Sequence, residues 1–281
     1  MILKPNGGST LVEYGITPGE DQTQDESPIF TFLSYGGGVQ STALLLLAIE
    51  GKLPRPDAVI FSDTGAEMPE TIRLIEEVFK PACEGAGIQF VTVESHRGSI
   101  VDDYLRKSAI PMVMNRSCTF NFKVAPIRRW LRKNLEIKRG VISARCLLGI
   151  STDESQRRTK SDVKYVENKF PLLELGLSRR QCKEMIEAKG WPVPPKSGCY
   201  ICPFQNVKSW MTLRDEHPKL FEVAVKMEER MLEDRPEREQ GFLKKPRRLK
   251  NLTGQATLKP WAQIFDDHGE SPECTSGSCF L

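Results

Sequence analysis

Phe32-Leu33-Ser34-Tyr35-Gly36-Gly37-Gly38-Val39-Gln40-Ser41-Thr42, followed some twenty residues on by Phe61-Ser62-Asp63-Thr64-Gly65, decides the fold. An apolar strand runs into three glycines, then a hydroxyl pair, then the apolar helix-forming run Ala43 to Ile49. Glycine permits left-handed backbone and close approach, and a helix start presents unpaired N–H groups at the positive end of its dipole. That order builds a phosphate cradle. Asp63 falls at the end of the next predicted strand, where open α/β sheets bind their ligands. The loop matches neither common fingerprint: it has no Gly-Lys-Ser/Thr, and Ser41 stands where a dinucleotide loop needs its third glycine.

The stretch Gly36-Gly37-Gly38-Val39-Gln40-Ser41 resembles the pyrophosphate loop of the adenine-nucleotide alpha-hydrolase superfamily, usually Ser-Gly-Gly-x-x-Ser. Three further segments resemble its phosphoadenosine phosphosulfate reductase branch: Asp63-Thr64-Gly65-Ala66-Glu67; Arg116-Ser117-Cys118-Thr119 with Lys123 and Pro126; and Gly149-Ile150-Ser151-Thr152-Asp153-Glu154-Ser155. Gly36 replaces the usual first serine, and Val39-Gln40 replace the Lys-Asp pair of many members. The resemblance implies a doubly wound, mostly parallel α/β sheet that binds an adenine nucleotide, ATP or an adenylyl sulfate. Ser34, Gly36, Gly37, Gly38, Gln40, Ser41 and Thr42 would cradle its phosphates, and Asp63, with Thr64 and Gly65, would hold Mg²⁺ or the nucleotide. For Asp63 the bland alternative is a loop carboxylate capping Gly65. Gly149, Asp153, Glu154 and Ser155 would contact the adenylate, while Lys123, Arg157 and Arg158 would supply the charge missing at Val39.

Gly198-Cys199-Tyr200-Ile201-Cys202-Pro203 is the second signal: two thiols on one turn can reach one metal, and they make half a site. The resemblance supplies Cys118 as the distant partner, and Cys118, Cys199 and Cys202 then suit a 4Fe–4S cluster with one iron open, structural zinc being the alternative. Ser117 occupies the first position of the Cys-Cys pair found in assimilatory reductases. Glu273-Cys274 loosely resembles the reductases' mobile catalytic cysteine, so Cys274 is a candidate nucleophile, and Cys274 with Cys279 a candidate thiol relay. Cys83, Cys146 and Cys182 read as packing residues.

The chain of 281 residues has a net charge of +3, which neither demands nor excludes nucleic acid. With 39% hydrophobic residues it can build a real core, and no stretch has the length and apolarity of a membrane helix. Met1 to Glu26 lacks a basic-then-apolar signal, which makes the cytoplasm the default and points to metal or redox chemistry of the cysteines rather than secreted disulfides. The organisation expected is a flexible leader over 1–28, a nucleotide-binding domain over 29–175, and a helical extension over 176–281. Strands are expected at 29–34, 58–62, 89–93 and within 141–150; helices at 68–84, 100–107, 125–135, 178–189 and 207–234. Basic runs at 128–133 and 244–250 could follow a phosphate backbone or simply face water.

Three functions follow. The first is ATP-dependent adenylation of a substrate, with sulfur then displacing AMP; tRNA or DNA is a plausible acceptor, a sulfur-donor protein and a homodimer plausible partners. The second is reduction of an adenylyl sulfate through Cys274. The third is a nucleotide- or nucleic-acid-binding module with structural zinc.

Overall fold

The computed structural model describes residues 29–114, 116–195, 197–237, 241–243 and 248–252. Five strands, β1 (Phe30–Tyr35), β2 (Ala58–Asp63), β3 (Gln89–Glu94), β4 (Ala144–Leu147) and β5 (Val166–Lys169), form one parallel sheet in the order β3-β2-β1-β4-β5. Phe32 pairs with Ala58 on one side and Cys146 on the other, so the central strand is β1. The chain leaves β1 toward β2 and returns to its other side as β4. The carboxyl ends of β1 and β4 therefore frame the switch point, the crevice where such sheets take ligands.

Because strand side chains alternate, the sheet has two apolar faces. Leu33, Tyr35, Val59 and Phe61 pack with α1 (Val39–Ile49), with Leu74 of α2 (Pro69–Leu74) and Cys83 of α3 (Lys80–Gly85), and with Cys182 and Ile186 of α8 (Arg179–Ala188). Phe32, Ala58, Ile60, Ala144 and Cys146 pack with Ile127 and Leu131 of α6 (Ala125–Asn134). Helices cover both faces, and the doubly wound α/β expectation holds. A third apolar cluster lies beyond the sheet's carboxyl edge. There α9 (Val207–Glu216) and α10 (Pro218–Asp234) bury Trp210, Leu213, Met227 and Met231 against Ala66, Met68, Phe122 and α4 (Ile100–Arg106).

Several elements depart from the sequence reading for identifiable reasons. The edge strand β5, Val-Glu-Asn-Lys, carries no apolar alternation to betray it; short, charged edge strands resist pairing with other chains. The helix expected over 207–234 breaks at His217 (φ −131°), because the residue before Pro218 is driven out of the helical region. Two wide turns, Ile75–Phe79 and Phe120–Val124, have π geometry, and each ends two residues before a proline, Pro81 or Pro126. A proline ring clashes with the carbonyl four residues back, and the widened turn accommodates it inside a continuing helix. The helix expected from Ala125 thus begins at α5 (Ser117–Thr119), and the second wide turn carries Lys123. Arg128, expected on a basic face, is instead buried and paired with Asp162. The remaining short helix, α7 (Pro171–Glu174), links β5 to α8.

Candidate functional site

The glycine loop joins β1 to α1 at the switch point. Gly37 is left-handed (φ +70°), and a side-chain carbon there would lie 2.6 Å from Cγ2 of the buried Thr71. Gly38 caps α1; the Ser41 hydroxyl donates to its carbonyl (3.0 Å) and accepts from its N–H (3.3 Å). The first turn of α1 carries no acidic side chain, so the positive end of its dipole is not neutralised locally. From the other side of the crevice comes Gly149, just after β4. A carbon on Gly149 would lie 2.8 Å from Ser41 N and 2.9 Å from Gln40 C. The two loops touch backbone to backbone, and glycine is what lets them.

Sequence-expected residues fall into distinct places around this contact. Gly36 and Gly38 are half-buried, whereas Gln40 and Ser41 are buried with the helix start. Gln40 Oε1 accepts from Arg179 Nη1 (2.7 Å). Thr42 turns into the core, its hydroxyl 2.9 Å from Tyr35 OH, and burial holds the Tyr35 phenol far above its usual range. Ser34 lies within β1. Asp63 ends β2 with Oδ1 accepting from Gly65 N–H (2.8 Å), the capping geometry set beside the ligand role, and Gly65 is left-handed against Ser99. Farther round, Asp153 Oδ2 accepts from Ser151 Oγ (3.3 Å) and Arg179 N–H (2.5 Å), tying this segment to the start of α8. Glu154 and Arg157 form a buried ion pair at 2.6 Å; Ser155 and Arg158 are exposed.

A second cluster adjoins the loop after β2. Cys199 forms a single antiparallel bridge with Glu67, and Tyr200 N–H donates to Ala66 C=O (2.9 Å). Cys199 Sγ lies 3.1 Å from Thr64 Oγ1 and 3.8 Å from Glu67 Oε1. Thr64 Oγ1 donates to Glu67 Oε1 (3.1 Å), and Lys123 Nζ sits 3.4 Å from the same oxygen with a third of its side chain exposed. Burial and the Glu67 charge keep the Cys199 thiol protonated, against the pull of Lys123 and Thr64. For Lys123, burial works to lower its pKa, but the charge and hydrogen bond of Glu67 outweigh it and hold the ammonium charged. Lys123, expected to meet phosphate, therefore stands beside Glu67 and the Cys-x-x-Cys turn.

None of the six described cysteines is in a disulfide. Cys118 packs half-buried on the same apolar cluster as Cys199. Among the described residues, however, no three His, Cys, Asp or Glu side chains are gathered as metal ligands. Cys118 and Cys199 share one apolar cluster, and Cys199 Sγ meets Thr64 Oγ1. Cys274 and Cys279 lie outside the described residues. So do residues 244–247 of the second basic run.

Two residues at the site carried no motif. Ser197, just before the Cys-x-x-Cys turn, lies over the glycine loop: its Oγ is 2.7 Å from a carbon built on Gly38 and 4.0 Å from one on Gly36. Arg179 reaches Gln40 from the start of α8, where Ser178 and Gln181 form a reciprocal cap. The helix expected over 178–189 is found as α8; what Arg179 touches has no local signal.

Residues 31–208 match the family model described as the phosphoadenosine phosphosulfate reductase domain. Two uncharacterized proteins of Methanocaldococcus jannaschii are similar. MJ0066 is 25% identical over 205 residues, 68% of this chain and 39% of its own length. MJ0973 is 26% identical over 221 residues, 74% of this chain and 50% of its own length. The chain thus spans half or less of these curated relatives. Among solved structures, the phosphoadenylyl-sulfate reductase of Candida auris in its phosphate complex is similar with a TM-score of 0.45 and 16% identity, over 60% of this chain and 76% of that one. No helix among the described residues is long and apolar enough to cross a membrane.

Proposed function

We propose a function from one established premise: the chain belongs to the phosphoadenosine phosphosulfate reductase domain family. In this reading it is an enzyme that binds ATP in the crevice between β1 and β4, with the phosphates along Gly36 to Ser41. An acceptor oxygen attacks the α-phosphorus, pyrophosphate leaves, and the adenylated acceptor is then open to displacement of AMP by a sulfur nucleophile. The chain's own part is positioning and charge: backbone N–H groups at the start of α1 face the phosphates, and Gly149 fixes the opposite wall. Mg²⁺ would be held by Asp63 together with the nucleotide's phosphates and would neutralise charge on the departing pyrophosphate. The observation that carries this reading is the backbone contact of Gly149 with Ser41 at the switch point.

One observation favours a second reading, cleavage of sulfite from an adenylyl sulfate: the cysteine-bearing segment reaches the glycine loop, with Ser197 Oγ 2.7 Å from a carbon built on Gly38. A single assay separates the two. The protein is incubated with ATP or with adenylyl sulfate plus a dithiol, and pyrophosphate and sulfite are measured. Pyrophosphate from ATP supports the first reading and sulfite the second; neither product, with no nucleotide bound, refutes both.

A further inference from the structure

We propose that Cys199 and Cys202 are a reversible disulfide switch that sets how tightly the glycine loop holds its nucleotide; this rests on the nucleotide reading given above. The Cys202 N–H donates to the Cys199 carbonyl (2.9 Å), closing a four-residue turn. Such a turn brings its end Cα atoms within about 7 Å, the span that a disulfide bridges. In the dithiol form Cys199 Sγ is not idle. It anchors the segment to the loop after β2 through Thr64 Oγ1 (3.1 Å) and Glu67 Oε1 (3.8 Å). Two residues upstream, the anchored segment lays Ser197 Oγ over Gly38. A hydroxyl in that position can donate to a phosphate oxygen seated on the loop.

Oxidation withdraws Cys199 Sγ from Thr64 and Glu67, because a sulfur bonded to Cys202 has lost its proton and must turn toward its partner. The oxidant is a small-molecule disulfide. One cysteine attacks it and releases a thiol; the second cysteine attacks the mixed disulfide and releases the other. Two electrons pass to the oxidant, and the two cysteine protons end on the released thiols. The backbone bridge to Glu67 and the Tyr200–Ala66 hydrogen bond still hold the turn, but the residues before it lose their side-chain tether; Ser197 shifts off Gly38, and the nucleotide loses one charge-assisted hydrogen bond. Such a bond corresponds to at least about tenfold in affinity.

Linkage makes the effect reciprocal: whatever factor the disulfide costs the nucleotide, the nucleotide must return on the disulfide's equilibrium. Saturating ATP should then raise the midpoint potential of the couple by about 30 mV for a tenfold preference. The test uses the whole chain, poised in glutathione buffers and titrated with ATP. Disulfide position is read by alkylation and peptide mass. Expected are a Cys199–Cys202 bridge, about tenfold tighter ATP binding by the dithiol form, and the matching rise in potential. Ser197→Ala should bind ATP with one affinity in both redox states. A bridge elsewhere or none, equal affinities in the unsubstituted chain, or an undiminished difference in Ser197→Ala overturns the switch while leaving the nucleotide reading intact. Failure of ATP to bind either form overturns the nucleotide reading itself.

Discussion

Replacing Gly149 by alanine tests how the two loops of the crevice are joined. The added carbon would stand 2.8 Å from Ser41 N, 2.9 Å from Gln40 C and 3.1 Å from Ser41 Cα. All three neighbours are backbone atoms in the first turn of a helix whose next residues are buried in the core, so none can swing aside as a side-chain tip would. Either α1 moves off β4 or the chain after β4 bends away. Overpacking of this kind costs about 1–3 kcal/mol. For a protein of this size that is a fall in Tm of roughly 2–10 °C. The same displacement pulls the loop's N–H groups out of register with the opposite wall, so stability and ATP affinity should fall together. Gly198→Ala is the comparison: nothing lies within 4 Å of the new carbon, and stability should change by less than about 0.5 kcal/mol. Urea melts and ATP-dependent thermal shifts measure both. A Gly149→Ala protein as stable as the unsubstituted chain, with undiminished ATP binding, would refute the reasoning.

Glu228 is buried, with Oε1 accepting from Phe242 N–H (2.9 Å) and Oε2 from Leu249 N–H (2.9 Å). Glu228→Gln turns one acceptor into a donor facing a donor and should cost about 1.5–3 kcal/mol in urea melts. Asp103 is buried; burial works to raise its pKa, but hydrogen bonds and charge from Lys107, Arg106 and Arg97 prevail and hold it below the usual carboxylate range. A depressed folded pKa gives stability that is present above the unfolded value, near 3.9, and is lost as pH falls through the folded one. Asp103→Asn should therefore flatten part of the acid limb of a stability–pH curve, and an unchanged limb would count against the assignment. Ser178→Ala removes the cap on Gln181 N–H and should cost about 1 kcal/mol, loosening the Arg179–Gln40 contact with it. Lys123→Met strips the partner from Glu67 and should bring the Cys199 thiol pKa higher still, seen as slower alkylation at alkaline pH.

Much of the fold was legible because its signals are local. Apolar, strand-like runs gave β1, β2, β3 and β4, and the helical stretch over 178–189 gave α8. β5 had no such signal, since Val-Glu-Asn-Lys is placed by pairing with β4 rather than by its own pattern. The site divides the same way. Glycine needs at Gly37 and Gly149 follow from chain geometry, and both positions carry motif glycines. Ser197 over Gly38, Lys123 on Glu67 and Cys199 on Thr64 are contacts between segments far apart in the chain, 135 residues for the last of them, which no local pattern encodes. The resemblance placed Cys118 with Cys199, and the two do share one apolar cluster; that Cys199 meets a hydroxyl and a carboxylate there has no signal in the spacing.

A crystal structure with ATP bound measures the central claim most directly. The account expects the phosphates over the N–H groups of Gly36 to Ser41, with Ser197 Oγ within hydrogen-bond reach of one of them. Phosphates bound elsewhere, with the turn at Gly38 still closed beneath Ser197, would contradict it.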